Sequence, residues 1–469
     1  MRYKGKEKTR RQRYWRVWSH NSRSQKFIGS DHIPIGGEIK HPKDIVADLM
    51  RFLVEHAEDE GGHEVADLST AVVTIPVAMD GRSRQALREA FLDAGIDVEC
   101  MVHEPLAALY GYYQRQEKPQ NALLRDDGKT VLVFDWGGGT LDLTLCQIRN
   151  GTIVQIMNRG NNKVGGDYLD DAICNYVEEQ HALKFSWSED TKRSRHPGMR
   201  AKLLERCEQA KITLSKRDRD ILFMPDYFNA GSEEESDIEF ELTRETLDQI
   251  SSQIVRQGVG EIETLLSAEQ ADIDHQTIGL CLATGGMVNM PIIEQQLREI
   301  FGVTVLEVAS QGDRIISEGA AWIASHNLDL TLAKPFELVE ARNSLLSLIP
   351  EGTQLPKRGN TNSITQGLYC ADPRDGKAVL TFKRPQMVGK SAASDRRTTY
   401  ANLSVPVNPD FPPMKERIDV NLEIDENYIV TVSAKANDLK HPVSQQIYDL
   451  EFALQTKKQV QEGHTGKKS

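Results

Sequence analysis

The 469-residue sequence has no apolar run approaching the ~20 residues that an α-helix needs to cross a bilayer, which excludes a helical membrane span from it. Its six cysteines, Cys100, Cys146, Cys174, Cys207, Cys281 and Cys370, follow neither a CxxC pattern nor the spacing of metal ligands. That argues against a zinc site or a disulfide framework. Several lie in apolar runs, so buried free thiols in a reducing, cytoplasmic setting are expected. The run Gly137-Gly138-Gly139 is closed by no Gly-Lys-Ser/Thr and does not fit GxGxxG, so neither common glycine-rich phosphate signature applies to it. The first residues carry no apolar core of a secretory signal. What is present is a mildly acidic chain, with 27% charged residues and a net charge of −12, long enough for two or three domains and expected to be soluble with no membrane partner.

The N-terminus departs from the acidic average. Residues 1–26 hold ten Lys or Arg against one acid, Glu7, interleaved with Tyr3, Tyr14, Trp15 and Trp18. This pattern fits a nucleic-acid arm, but a locally basic part of a larger fold explains it equally simply, and nucleic acid is not the expected partner.

From Pro42 to Glu55 apolar residues recur at helical spacing, and a strand at Ala71–Ile75 stops at Pro76. A helix bearing Arg84 and Arg88 then runs to Gly95. Strands and helices alternate as far as Ala324, which predicts α/β layers, with 185–200 and 230–238 as polar surface loops. Residues 327–337 read as a linker. Beyond them Leu345–Pro350, Thr361–Tyr369, Ala378–Arg384, Ile418–Ile424 and Tyr428–Ala434 read as strands, with a turn at Asp425-Glu426-Asn427. The organisation expected is a basic segment 1–41, an α/β domain 42–326, a linker 327–337, a mostly β domain 338–452 and a disordered tail 453–469.

The most informative stretch is VLVFDWGGGTLD, 131–142. An apolar strand delivers the carboxylate of Asp135 to its end; Gly137, Gly138, Gly139 and the hydroxyl of Thr140 follow, and a second strand leads away. This is a hairpin whose turn has no side chains. Backbone N–H groups there can approach a phosphate closely, and the adjacent acid can hold a metal or a water. A plain tight turn fits the same residues. Gly165-Gly166 follows a strand at Thr152–Met157 and by itself supports only a turn. Gly285-Gly286 follows the strand Ile278–Ala283 and precedes a helix starting near Pro291. Glu208, Lys211 and Ser215 share one helix face, where an i,i+3 ion pair is the competing reading.

Taken in order, VLVFDWGGGTLD, VVTIPVAMDGRSRQALREAFLDAGI (72–96), VHEPLAALYGY (102–112), NKVGGDYLDDAI (162–173), CEQAKITLS (207–215), ATGGMVNMPII (283–293) and the GAA of 319–321 resemble the Hsp70 chaperones of the actin-like ATPase superfamily. The resemblance runs from about His41 to Leu450, and IDVNLEIDENYIVTVSAKAND (418–438) is similar to the Hsp70 peptide-binding sandwich. It implies an α/β actin-like (ribonuclease H-like) ATPase domain, its first lobe incomplete here, followed by a mostly β sandwich. ATP or ADP with Mg²⁺ would be the cofactors. Asp135 would hold Mg²⁺ through water and help orient the attacking water, with Glu104 behind it; Gly137, Gly138, Gly139 and Thr140 would meet phosphate. Gly165, Gly166, Gly285 and Gly286 would line the nucleotide, Glu208, Lys211 and Ser215 would contact ribose and adenine, and Asp313 would lie near the adenine pocket. Pro76, Arg84 and Glu104 match positions that relay nucleotide state to the peptide domain.

The match has gaps. Met287 and Asn289 stand where the family usually has Ser and the Arg that stacks on adenine. A first phosphate loop, Asp-x-Gly-Thr-Thr, is not found, and Lys4, Lys6 and Lys8 are the lysines nearest the expected catalytic one. No amphipathic helical lid pattern follows the last strand. A truncated product and a branch without turnover both fit. The expected activity is therefore an ATP-dependent chaperone binding extended polypeptide, with a J-domain co-chaperone and a nucleotide-exchange factor as further partners. The alternatives are a nucleotide-binding regulator without turnover and, disfavoured by the β domain, a sugar or acetate kinase of the same superfamily.

Overall fold

The computed structural model describes residues 33–35, 38–61, 68–188, 193–267, 273–385, 397–400, 402–436 and 441–456. The basic segment 1–26, with Lys4, Lys6 and Lys8, lies outside them. A short hairpin, β1 (Ile33–Ile35) and β2 (Glu38–Lys40), precedes helix α1 (Pro42–Gly61). Strand β3 (Thr70–Ile75), helix α2 (Gly81–Asp93), strand β4 (Asp97–His103) and helix α3 (Glu104–Gln114) follow as a β-α-β-α run. β3 and β4 pair in parallel. Asp80 caps α2 by accepting the Ser83 N–H at 2.7 Å, the contact an Asp N-cap supplies.

The centre of the molecule is built from β5 (Thr130–Trp136), β6 (Leu141–Arg149) and β7 (Thr152–Asn161), then helices α4 (Gly166–Lys184) and α5 (Met199–Leu214). A hairpin of β8 (Arg219–Met224) and β9 (Ile238–Thr243) leads into α6 (Arg244–Ser267). Strand β10 (Ile278–Thr284), α7 (Pro291–Phe301), β11 (Leu306–Val308), α8 (Gly312–Ser325) and β12 (Asp329–Leu332) complete this half. The C-terminal half is strand-rich: β13 (Phe336–Val339), β14 (Leu345–Ile349), β15 (Asn362–Tyr369), β16 (Lys377–Leu380), β17 (Phe382–Pro385), β18 (Arg397–Thr399), β19 (Leu403–Pro406), β20 (Arg417–Ile424), β21 (Val430–Ala436), β22 (Val443–Ile447) and β23 (Phe452–Gln455).

One mixed sheet, in the order β11-β10-β5-β6-β7-β23-β12, organises the α/β half. The apolar run of β5 is buried on both faces, and its residues alternate between two cores as a strand's side chains must. Val131 and Val133 face the core shared with α3 and the β-rich half; Leu132, Phe134 and Trp136 face the core under α4, α5 and α6. The first core is continuous from Val46 in α1 through Tyr428 to Leu454, so the two halves are packed against each other rather than strung on a tether.

Three boundaries differ from the sequence reading. Residues 327–337 contain β12 and the start of β13, because Leu330 and Leu332 are buried in the sheet rather than crossing solvent. The expected tail begins inside β23, where Ala453 and Leu454 are buried and pair with both β7 and β12. The single strand expected at Ala378–Arg384 breaks at Thr381, since β16 pairs with β19 while β17 pairs with β13 and β18. All six cysteines are free and buried. No helix among the described residues is long and apolar enough to cross a membrane.

Candidate functional site: a glycine-lined acidic cleft

The three glycine turns converge. The Asp167 N–H donates to Gly138 O at 2.7 Å and the Gly166 N–H to Gly137 O at 3.2 Å, so the first turn of α4 is laid against the β5–β6 turn. Within that turn the Gly137 N–H donates to Thr140 O at 2.9 Å. The approach requires glycine: a Cβ on Gly165 would overlap Gly138 O and lie 2.8 Å from Gly139 Cα. Gly285, at φ +89°, passes so close to the end of β5 that a Cβ would sit 2.7 Å from Asp135 Oδ1. Gly286 is exposed beside it.

The acids stand at the floor of this cradle. Asp135 and Asp142 are register partners across the β5–β6 hairpin, and Glu104 opens α3 next to Pro105. Burial, and then the neighbouring charge of Asp142, push Asp135 up to about 7. Burial, then Asp135 and Asp142, push Glu104 up to about 8. Carboxylates held together this way favour a shared proton or an added cation. Among the described residues no group of three or more His, Cys, Asp or Glu side chains is arranged as a ready metal-ligand set.

On the far wall, Lys211 is buried, paired with Asp170 Oδ1 at 2.7 Å, and donates to Gly166 O at 3.3 Å. Its helix thus clamps the second glycine turn, a role the i,i+3 spacing did not suggest. Glu208 is exposed, and the Ser215 hydroxyl donates back to Lys211 O at 3.1 Å. Met287 is buried, its sulfur 3.1 Å from where a Gly166 Cβ would lie, and the exposed Asn289 donates to Gly286 O at 3.0 Å. Asp313 lies in α8, with its side chain outside the described residues.

Sequence reasoning missed two supports of the site. Trp136, between Asp135 and the glycines, is fully buried, donates its indole N–H to Val164 O at 2.7 Å and lies directly over Gly258. His103, just before Glu104, is fully buried, and its Nδ1 lies 2.8 Å from Gln155 Oε1; burial drives it down to about 3, so it is neutral. Neither contact has a local sequence signal, because each joins segments far apart in the chain. Arg84, expected to relay between halves, is buried and donates to Tyr448 O at 2.6 Å, while Arg88 donates to Asn427 Oδ1 and Glu426 O. Helix α2 therefore contacts the β-rich half directly.

Fold and site together define a class: an α/β protein with a glycine-lined acidic cleft, packed against a strand-rich domain. The sequence profile of the Hsp70 protein family matches residues 21–464, and this chain belongs to that family. The family's plan is an actin-like ATPase domain followed by a β sandwich, to which the mixed sheet and the strand-rich half correspond. The chaperone protein DnaK of Thermosipho melanesiensis is 29% identical over 422 residues, 87% of this chain and 66% of that protein. DnaK of Halobacterium salinarum is 28% identical over 415 residues, 86% and 61%, and DnaK of Metamycoplasma hominis 27% over 402 residues, 84% and 63%. The chain thus spans 61–66% of the length of these curated relatives.

Proposed function

We propose that this protein is a chaperone that binds ATP or ADP with Mg²⁺ in the glycine-lined cleft and couples nucleotide state to the capture of extended apolar polypeptide by its β sandwich. The observation that carries the reading is the convergence of the turns at 137–139, 165–166 and 285–286 on Asp135. Backbone amides that no side chain shields suit phosphate oxygens. Asp135 would hold the cation through water, with Glu104 behind it, and Thr140 would add a hydroxyl to the phosphate. Bound Mg²⁺ would supply neutralisation of phosphate charge, which is most of what phosphoryl transfer asks of a site. Lys211 and Ser215 would approach the nucleoside from α5, and Glu208, exposed on the same helix, its ribose. Peptide capture would use strand-edge hydrogen bonds and small apolar pockets of the sandwich. A J-domain co-chaperone, an exchange factor and a cytoplasmic location belong to the same proposal.

Single-turnover hydrolysis of ATP, with Asp135→Ala as control, tests the reading. Phosphate release well above the control is expected; release no greater than the control, with nucleotide still bound, would leave a nucleotide-binding regulator instead. Titration of a fluorescent apolar peptide with and without ATP tests the coupling, and an affinity indifferent to nucleotide would refute it.

A further inference from the structure

The cleft acid Glu104 is joined to the far end of the chain by a single buried node. Phe452, the first residue of β23, is fully buried; its ring stacks on His103 with centroids 4.1 Å apart and planes 15° apart. The same ring receives Tyr428 edge-on at 5.1 Å, and the Tyr428 hydroxyl accepts the Met101 N–H at 3.2 Å. The Phe452 N–H donates to Gln155 Oε1 at 2.9 Å. That oxygen is also the partner of His103 Nδ1 at 2.8 Å. An amide oxygen has two lone pairs and donates nothing, so with one taken by Phe452 the imidazole must present Nδ1–H to the other. Gln155 Oε1 thereby sets the tautomer of His103, and the stacked Phe452 ring sets its plane.

His103 is the hinge between β4 and α3. It occupies the N-cap position in extended conformation, and its side chain makes no capping bond. After it the chain has little freedom: Pro105 fixes the first turn, and Leu106, Ala107, Ala108 and Leu109 are fully buried. Backbone movement of Glu104 relative to Asp135 is therefore concentrated at the His103 corner. We propose that Phe452 is a positioning residue for Glu104, acting through Gln155 and His103, so that docking of β23 on β7 sets the acid in the cleft. The proposal rests on the reading of Glu104 as part of the nucleotide site. It makes β23 a built-in regulator: displaced, it releases the corner; seated, it holds the corner.

The test compares Phe452→Leu and Gln155→Leu with Leu454→Ala in the full chain. Leu454 is as buried on the same strand but touches neither His103 nor Gln155 in any described hydrogen bond or ring contact, so it matches the loss of packing without the node. Two readouts are taken. The first, independent of nucleotide, is the ¹⁵N spectrum of the His103 imidazole together with amide exchange of the 101–109 segment. The second is the split between nucleotide affinity and the single-turnover rate constant. Gln155→Leu is expected to lose the single Nδ1–H tautomer, while Phe452→Leu keeps it, since its backbone N–H stays on Gln155, and frees the ring plane. Both should speed exchange of 101–109 and lower the rate constant about tenfold with affinity changed less than about threefold. Leu454→Ala, which leaves both contacts in place, should change each of these far less. Equal effects of all three variants, or a disturbed His103 with an unchanged rate constant, would overturn the inference. If the wild-type chain shows no turnover the proposed activity fails on its own. Exchange at 101–109 then still decides the coupling: unchanged exchange in Phe452→Leu overturns it.

Discussion

Glu104 and His103 are adjacent, yet burial moves them in opposite directions, and the pH response of stability follows. Glu104 and Asp135, near 4.5 and 3.8 when unfolded, are held at about 8 and about 7 in the fold. The folded state binds the extra protons, so the stability these acids contribute is present below their unfolded values and is lost as pH rises through the folded ones. His103 falls from 6.5 to about 3, so its contribution is present above 6.5 and is lost as pH drops below that value. Nucleotide-free protein is expected to melt highest at intermediate pH. Glu104→Gln should flatten the alkaline limb between pH 5.5 and 8, measured by thermal scans, and a variant that follows the wild type over that interval would refute the assignment. A second expectation concerns Trp136. Adding a methyl in Gly258→Ala forces a Cβ into the indole and should cost about 1–3 kcal/mol, read as a lower denaturant midpoint with an unchanged slope. Trimming the ring in Trp136→Phe should restore part of that loss.

Among elements, what could be read in advance depended on whether the signal was local. The hairpin of β5 and β6 was legible because a strand, three glycines and a strand are contiguous, and helix α2 because its apolar spacing announces it, whereas its Asp80 cap was not read in advance. The packing of the three glycine turns was legible only through family resemblance, since nothing in Gly165-Gly166 states what lies 2.8 Å away. Lys211 shows the limit: helical spacing offered Glu208 as its partner, but Asp170 on another helix takes it. Strand β23 was invisible because Phe452, Ala453 and Leu454 are too few to signal a strand until β7 and β12 flank them. The cradle yields its own prediction. Gly165→Ala should weaken ATP binding at least tenfold by calorimetry while helix content by circular dichroism stays as it was, because the added carbon intrudes on the turn at 138–139 and not on α4 itself.

For the molecule as a whole, the question is what keeps its halves together. Besides the shared apolar core, a buried charge cluster joins three segments: Lys334, just after β12, pairs with Glu451 at 3.1 Å; Arg384 of β17 pairs with the same Glu451 and with Asp449 at 3.1 Å. Lys334 and Glu451 are both nearly closed to solvent. Removing Glu451 takes one carboxylate from two cations at once, although Arg384 keeps Asp449, and breaking a buried pair costs about 3–5 kcal/mol. Glu451→Ala is therefore expected to lower the melting temperature and to divide one calorimetric transition into two as the halves uncouple; a single transition at the wild-type temperature would show that the apolar core suffices.

The position of β23 also sets a timetable. It lies between β7 and β12, so β12 cannot hydrogen-bond to the large sheet until residues 452–455 have been made. At ~5–20 residues per second of synthesis, the interval between β12 and β23 leaving the ribosome is on the order of ten seconds. Throughout it β12 waits unpaired with the large sheet, which is complete only when β23, the last of the described strands, slots in. Completion of the cleft side of the molecule is thus a late, long-range event, and a nascent chain arrested before Phe452 would carry the glycine turns but not the strand that braces the corner beside Glu104.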